Sequence, residues 1–287
     1  MTWREVIATA TKRLTEAGVE DPQLNAEYLA AHVLGHKNRS DIRPYLNTEL
    51  SQAKASCFEE LVARREKREP LQYILGEWEF FGLPMIVGPG ALIPRPETEV
   101  LVEEALKEAG GMSSTISILD IGTGSGAIAL ALAYKLPQSN VIGLDVSDEA
   151  LAVAEMNRQN LNIKNVEFRS ADIFADNWLP GFIHSVDLLV SNPPYVSIED
   201  FHTLAPELRL YEPRQALTDE STGLIFYDRI SALASQLLSS RGRVLVELGF
   251  GLENDVQTIM EKAGLTVLRI VNDLAGIPRV LVAKRSS

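Results

Sequence analysis

A short polar and aromatic segment follows an apolar run in the second half of the chain. The run is residues 186–190, and the segment reads Asn192, Pro193, Pro194 and Tyr195. Two consecutive prolines stiffen the backbone and leave its carbonyl oxygens free to bind a ligand. The Asn192 side-chain oxygen and the Pro193 carbonyl can accept both N–H groups of a planar amide or amino group, and Tyr195 can stack on it. The segment therefore favours a site that holds such a nitrogen for alkylation, although the same residue pairs also mark ordinary turns.

A second segment has the pattern of a strand, a glycine turn and a helix. The strand contains Asp120, and the turn consists of Gly122, Thr123, Gly124, Ser125 and Gly126. Glycines at alternate positions let the backbone turn sharply and approach a ligand closely. The spacing differs from the Gly-x-Gly-x-x-Gly turn that holds a dinucleotide pyrophosphate, and an acidic residue before the turn is poorly placed for phosphate. The acidic residue Asp120 instead suits a cofactor with an ammonium group, such as S-adenosylmethionine.

Two further aspartates end apolar runs. Asp145 lies roughly twenty residues beyond the glycine turn, where an acidic residue bonds ribose hydroxyls in doubly wound folds. Asp172 can accept a hydrogen bond from an adenine amino group, while Ile173 covers the ring. A single aspartate at a strand end is often a helix cap or a turn residue. Successive strands that all end in ligand-type residues favour one shared site, because ligands of open α/β sheets bind at the carboxyl ends of the strands.

The combination resembles the class I S-adenosylmethionine-dependent methyltransferases, and more narrowly the release-factor glutamine methyltransferase family (PrmC/HemK). The narrower resemblance extends along nearly the whole chain. It rests on segments that follow one another in the family's order, at residues 70–76, 80–82, 92–99, 192–195, 211–214 and 273–279. One departure is Thr222, where the family more often has aspartate, and it affects only the local loop.

The resemblance implies methylation of the glutamine side-chain amide in the Gly-Gly-Gln tip of bacterial class I peptide release factors. It implies a cofactor site of Asp120, Gly122, Thr123, Gly124, Ser125, Gly126, Asp145, Asp172, Ile173 and Asn192. The substrate site would comprise residues 192–195, with Asn192, Pro193 and Tyr195 catalytic. Residues 94–99 correspond to a family loop beside the methyl donor, but their prolines equally suit an extended lead into the helix at residues 97–109. The expected mechanism is in-line transfer by positioning and desolvation, without a strong general base.

Composition limits the partners. The chain has 287 residues, a 46% hydrophobic content and a formal charge of −12, from 27 Lys and Arg against 39 Asp and Glu. Proteins that track nucleic-acid duplexes usually have the opposite balance, because neutralising phosphates drives much of their affinity. No direct nucleic-acid binding is expected, and a protein substrate is favoured, although acidity also serves solubility.

Neither a metal nor a membrane is expected. Cys57 is the only cysteine in the sequence, and His32 and His36 lack a third ligand residue. Residues 1–18 lack the apolar core of a signal peptide, and no apolar run approaches the roughly 20 residues that span a bilayer. The expectation is a cytoplasmic monomer.

The pattern of elements predicts three parts. Residues 1–72 form a helical domain, residues 73–96 a β-hairpin linker, and residues 97–287 an α/β domain. The resemblance implies that the first domain recognises the substrate and that the last is the S-adenosylmethionine-binding catalytic domain. Helices and strands alternate in the last part, which favours βαβ units. Strands are expected near residues 116–121, 141–146, 165–170, 186–191, 243–248, 266–271 and 280–284. The resemblance implies a Rossmann-like α/β fold, with a mainly parallel seven-stranded sheet that has one antiparallel strand.

Other functions stay open. The same tetrapeptide can hold the amino group of a flipped adenine, as in methyltransferases that act on DNA or RNA. A glutamine of a large-subunit ribosomal protein would need an almost identical fold and loop. A nucleotide-binding module without catalysis would leave residues 192–195 unexplained.

Overall fold

The computed structural model describes residues 1–112, 115–175, 181–182 and 184–286. The helices in these ranges are α1 (Trp3–Glu16), α2 (Pro22–Leu34), α3 (Gln52–Glu66), α4 (Leu71–Leu75), α5 (Glu99–Gly110), α6 (Ala127–Lys135), α7 (Asp148–Asn160), α8 (Ile198–Phe201), α9 (Pro206–Tyr211), α10 (Ile225–Leu237) and α11 (Glu253–Lys262). The strands are β1 (Glu77–Phe80), β2 (Leu83–Ile86), β3 (Ser117–Ile121), β4 (Asn140–Asp145), β5 (Val166–Ser170), β6 (Val186–Ser191), β7 (Leu238–Glu247), β8 (Leu265–Asn272) and β9 (Pro278–Arg285). None of these helices combines the length and the apolar character that crossing a membrane requires.

The chain divides into two compact units. One unit is Met1–Glu77 with Ala205–Tyr211, and the other is Trp78–Leu204 with Glu212–Ser287. This differs from the predicted division at residues 72 and 96. The segment predicted as a separate linker contributes apolar side chains to the core of the second unit, including Phe80 and Met85. The strands β1 and β2 do pair with each other as a two-stranded sheet.

The first unit is helical, as predicted. Its start is fixed by a capping box, in which Thr2 and Glu5 satisfy each other's backbone N–H groups at the beginning of α1. Its core includes Trp3 and Phe58, whose rings meet edge to face with centroids 5.8 Å apart.

The helix α9 belongs to this first unit, although it lies between β6 and β7 in the sequence. Glu207 of α9 accepts hydrogen bonds from Arg65 Nη2 at 2.8 Å and from Arg68 Nη2 at 2.6 Å. Arg65 is buried, and burial lowers the pKa of its guanidinium while Glu207 opposes that shift. A buried guanidinium without a carboxylate partner would be costly, so Glu207 is a necessary part of this unit.

The second unit contains a seven-stranded sheet among the described residues, in the order β5-β4-β3-β6-β7-β9-β8. Strands β3 to β7 run parallel, whereas β9 is antiparallel to both of its neighbours. The central strand β6 is buried at every residue, as expected for a parallel strand that is covered on both faces. The predicted mainly parallel α/β sheet with one antiparallel strand is confirmed.

The strand order positions the site. From β3 the chain moves outward through β4 to β5, and then returns to β6 on the other side of β3. Such a reversal leaves a crevice at the carboxyl ends of the two central strands. Ile121 at the end of β3 is aligned with Ser191 at the end of β6, and the Ser191 hydroxyl donates to the Ile121 carbonyl at 2.7 Å. The glycine turn and Asn192 therefore begin side by side.

Strand β7 begins earlier than predicted. Val186 pairs with Leu238, but Leu188 pairs with Arg243, so β7 contains a bulge between these positions. Gly242 lies within it, and a Cβ atom there would be 2.8 Å from the Val186 carbonyl oxygen. Glycine permits this close approach of two backbones.

Candidate active site

A cavity of about 240 Å³ opens at the carboxyl ends of β3, β4 and β6. Eight of the residues singled out in the sequence line it, namely Gly122, Gly124, Asp145, Asp172, Ile173, Asn192, Pro193 and Pro194. The structure therefore brings together the ends of four strands and the loops that follow them. Asp120, Thr123, Ser125, Gly126 and Tyr195 lie outside the lining.

The glycine turn leaves open space at the cavity wall. Gly122 and Gly124 have φ angles of 72° and 56°, which favour glycine. A Cβ atom at either position would meet no other atom within 4 Å, so the open space is available to a ligand. Gly126 has a different reason to be glycine, because a Cβ atom there would lie 2.8 Å from the Phe168 ring.

Asp145 holds this turn in place. Its Oδ2 atom accepts from the Gly124 N–H at 2.9 Å, and its Oδ1 atom accepts from the Ser147 N–H at 3.0 Å. A carboxylate has room for about four hydrogen bonds, so two remain for hydroxyl groups of a ligand. The contact with ribose hydroxyls that the sequence suggested is compatible with this geometry.

We expect Asp145→Ala to raise the dissociation constant for S-adenosylmethionine about tenfold, because the Gly124 N–H of the turn and the Ser147 N–H both lose their acceptor. Isothermal titration calorimetry measures the constant directly. The matched control is Asp148→Ala, which removes an exposed carboxylate at the start of α7 and the same charge. Equal affinities in the wild type and Asp145→Ala would contradict the assignment.

Asp120 lies beneath the turn and not at the cavity wall. The residue is fully buried, and its Oδ2 atom accepts from the Thr123 hydroxyl at 2.7 Å and from the Ala129 N–H at 3.2 Å. Its Oδ1 atom has no hydrogen-bond partner among the described residues. Burial raises the pKa of this carboxyl to about 7. Asp120 and Thr123 thus support the turn from behind, and a direct contact of Asp120 with a cofactor ammonium stays a prediction.

Ser125, in the same turn, also lies outside the cavity lining. Ser125 is buried, and its carbonyl oxygen accepts from the Asn157 amide at 3.1 Å. Asn157 is itself buried and donates a second hydrogen bond to the Ile86 carbonyl at 3.1 Å. This links the glycine turn to β2 through one side chain.

Apolar side chains cover the far end of the cavity. Ile173 is buried there, whereas Phe174 is 49% exposed and packs edge to face on Phe226 with ring centroids 5.3 Å apart. Both phenylalanines and the exposed Val146 line the cavity, and the sequence reasoning missed them. A half-exposed aromatic pair at a cavity suits a planar ring such as adenine. The acidic residue, the open turn and this apolar end together fit S-adenosylmethionine.

The loop after β6 presents two acceptors to the cavity. Asn192 donates from Nδ2 to the Thr98 hydroxyl at 3.2 Å, which leaves its Oδ1 atom available. No described residue donates a hydrogen bond to Asn192 Oδ1 or to the Pro193 carbonyl oxygen. Unpaired acceptors at a cavity wall are costly unless a ligand or water satisfies them, so this pair is suited to the two N–H groups of an amide.

Tyr195 lies behind the loop and not in the cavity. Its hydroxyl donates to Glu247 Oε1 at 3.4 Å, and a Cβ atom at Gly249 would approach its ring to 2.9 Å. Burial raises the pKa of the Tyr195 hydroxyl, so it stays protonated and acts as a donor. The stacking role that the sequence suggested for Tyr195 stays a prediction.

A second loop supports the first. The Val196 N–H donates to the Leu217 carbonyl at 3.0 Å, and Asp219 accepts from the N–H groups of Ser221 and Gly223. Gly223 has a φ angle of 82°, and a Cβ atom there would be 2.3 Å from the Tyr195 carbonyl oxygen. The hydrogen bonds to Asp219 hold this loop, and Thr222 within it is exposed.

We expect Gly223→Ala to lower the free energy of unfolding by about 1–3 kcal/mol, since alanine is strained at positive φ and would push against the Tyr195 backbone. Urea unfolding measures the loss. Gly251→Ala is the control, because its φ angle is 78° but a Cβ atom there would meet no other atom within 4 Å. An equal loss in both variants would show that φ alone, and not the contact with Tyr195, decides the effect.

Comparisons with known proteins agree with this geometry. The PrmC N-terminal domain family matches residues 5–76, and a methyltransferase domain family matches residues 112–262. A release factor glutamine methyltransferase of Fusobacterium nucleatum is 39% identical, over 98% of this chain and 78% of that protein. Another, of Geobacter sulfurreducens, is 40% identical over 98% of this chain and 95% of that protein. The chain belongs to the release factor glutamine methyltransferase family. A Pyrococcus furiosus methyltransferase structure shares the fold, with a TM-score of 0.51 and 19% identity over 72% of this chain and 91% of that one.

Membership of the release factor glutamine methyltransferase family accounts for the main features of the site. The cavity at the carboxyl ends of the strands belongs to the methyltransferase domain, and the helical unit contains the part that matches the PrmC N-terminal domain. The family resemblance on which the sequence interpretation rested is confirmed.

Proposed function

We propose that this protein transfers a methyl group from S-adenosylmethionine to the side-chain amide nitrogen of the glutamine in the Gly-Gly-Gln tip of bacterial class I peptide release factors. One observation carries the proposal: Asn192 Oδ1 and the Pro193 carbonyl receive no hydrogen bond from the described part of the chain, and they lie at the wall of a cavity whose other end suits an adenosyl group. Two acceptors fixed in a stiff loop match the two N–H groups of one primary amide.

The residues of this chain act by holding and orienting. The glycine turn, Asp145 and the apolar end of the cavity would hold S-adenosylmethionine, which would supply a methyl group on a positively charged sulfur. Asn192 and Pro193 bind the amide N–H groups and direct the nitrogen toward that group. A fixed geometry of this kind lowers the barrier without proton transfer before the step.

Among the described residues, no strong base lines the cavity at the acceptor loop. Asp145 and Asp172 are the titratable residues in the described lining, and each accepts hydrogen bonds from backbone N–H groups. A methylated amide nitrogen would be strongly acidic and would lose its proton to water, so the acceptor loop need not supply a base.

The test uses methyl-labelled S-adenosylmethionine and the purified full chain. The acceptors, assayed separately, are a bacterial class I release factor, its Gln→Ala tip variant, a large-subunit ribosomal protein and duplex DNA. Label on the intact release factor and not on its Gln→Ala variant is the expected result. Label on the ribosomal protein or on DNA, with none on the release factor, would overturn the named substrate but keep the site.

A further inference from the structure

A buried carboxylate joins two distant segments of the second unit. Glu212 follows α9 in the sequence, and its side chain is 2% exposed. Its Oε2 atom accepts from the Ile93 N–H at 3.1 Å, and its Oε1 atom accepts from Arg95 Nη2. Ile93 and Arg95 belong to the segment before α5, more than a hundred residues away. The two segments therefore meet at one side chain.

The residues next to this contact form two walls of the cavity. Residues 90–92 line the cavity immediately before Ile93, and Pro213 lines it immediately after Glu212. The first wall is residues 90–92, and the second is residues 213–216, of which Pro213, Gln215 and Ala216 line the cavity. The hydrogen bond from Ile93 to Glu212 thus holds the end of one wall against the start of the other.

Each wall has an anchor of its own at the other end. On the first wall, Ala91 packs on α7 in a small apolar cluster with Ala150 and Val153. Beyond the second wall, the Leu217 carbonyl oxygen accepts from the Val196 N–H at 3.0 Å, which ties this segment to the loop after β6. Glu212 supplies the link between the two walls.

The backbone around Arg95 is stiff, so its guanidinium is presented in a defined direction. Arg95 lies between Pro94 and Pro96, and its carbonyl oxygen accepts from the Thr98 N–H at 3.1 Å. Prolines on both sides restrict the backbone angles of the residue between them. Little freedom is then lost when Arg95 binds Glu212. The buried carboxylate in turn needs this cation, because an unpaired buried charge is costly.

We propose that Arg95 and Glu212 are positioning residues for S-adenosylmethionine, because their ion pair holds the two walls around the bound cofactor. Neither residue is part of the described cavity lining, so they act through the walls. The inference gives Arg95 a role within residues 94–99, which the sequence left open. It concerns the binding of the cofactor, and it does not depend on which acceptor is methylated.

The test measures the dissociation constant and the dissociation rate of S-adenosylmethionine for the full chain, without any acceptor. Glu212→Gln keeps an oxygen for the Ile93 N–H but loses the charge that binds Arg95, and we expect it to raise the dissociation constant about fivefold. Arg95→Met leaves the buried carboxylate without its cation and should raise the constant about tenfold or more. Arg95→Lys keeps the charge without the planar guanidinium and should restore part of the affinity. In each variant the dissociation rate should rise with the constant.

The double variant Arg95→Met with Glu212→Gln tests whether the two residues act as a pair. Residues that share one interaction give effects that do not add. The double variant should therefore bind the cofactor no more weakly than Arg95→Met alone. Effects of the two substitutions that multiply in full would show independent roles and would refute the pairing.

Asp187→Asn is the matched control. Asp187 is also buried and accepts from one backbone N–H, that of Ser117 at 3.1 Å, and from the guanidinium of Arg241. It lies near the start of β6, at the opposite end of the strand from the cavity. The substitution should lower the free energy of unfolding in urea but leave the dissociation constant of S-adenosylmethionine unchanged.

The outcomes separate this inference from a general loss of stability and from the proposed function. A wild-type dissociation constant in Arg95→Met, or an equal rise in Asp187→Asn, would refute the positioning role. If Arg95→Met does not fold, Glu212→Gln decides by the same criterion. A wild type that binds S-adenosylmethionine but leaves the release factor unlabelled refutes the proposed function and leaves this inference standing, because its readout needs no acceptor.

Discussion

Replacing Asn192 with alanine should lower kcat on the order of a hundredfold or more, as expected when one preorganised hydrogen-bond group of a transfer site is removed. The substitution deletes the Oδ1 acceptor at the cavity wall, together with the Nδ2 group that donates to the Thr98 hydroxyl. The glycine turn and Asp145 stay intact, so the dissociation constant of S-adenosylmethionine should change little. Steady-state rates at saturating release factor, combined with calorimetric binding of the cofactor, measure the two effects separately.

The control for this variant is Asn254→Ala, which removes an exposed amide at the start of α11. It should keep wild-type turnover. Wild-type turnover in Asn192→Ala at saturating acceptor would refute the assignment of this residue. A loss of cofactor affinity as large as the loss of turnover would place Asn192 with the cofactor and not with the acceptor.

Much of the second unit could be predicted because its strands have strong local signals. The run at residues 186–190 has apolar side chains except for Asp187, and its burial follows from that composition alone. The loops at Gly122, Asp145 and Asn192 converge because parallel strands bring their carboxyl ends to one edge. The rule that ligands bind at the carboxyl ends of parallel strands thus correctly predicted that these three motifs line one cavity.

The parts that escaped prediction depend on long-range contacts. Glu207 pairs with arginines of the helical unit, although more than a hundred residues separate them in the sequence, and no local pattern indicates that pairing. Phe174 and Phe226 meet only because the fold places the end of β5 beside α10. The burial of Glu247 was equally hidden, because a polar residue at a strand end normally faces solvent.

Asp120 shows a limit of a different kind. The sequence placed it on the strand before the glycine turn and predicted a contact with a cofactor ammonium group, which stays a prediction. The structure puts it below the turn, where it binds Thr123 and the Ala129 N–H. Burial depth is not encoded in a short motif, so the motif located the residue without fixing what it contacts.

Because Asp120 is fully buried, we expect Asp120→Asn to flatten the dependence of the free energy of unfolding on pH. Burial raises the pKa of Asp120 from 3.8 to about 7 in the folded protein. Between these values the folded state holds a proton that the unfolded state has released, so the free energy of unfolding falls as the pH rises and levels off above about 7. The shift corresponds to a penalty on the order of 4 kcal/mol at high pH.

Asparagine is uncharged at every pH and keeps an oxygen for Thr123 and Ala129. The variant should match the wild type near pH 4 and exceed its stability near pH 8, as measured by urea unfolding across that range. Asp255→Asn, which changes an exposed carboxylate of α11, is the control. Part of the decline should persist in Asp120→Asn, because the raised pKa of Glu247 acts with the same sign, and the double variant with Glu247→Gln should remove that part too. The same dependence of stability on pH in the wild type and in Asp120→Asn would contradict the prediction, because it would mean that the pKa of Asp120 is equal in the folded and the unfolded protein.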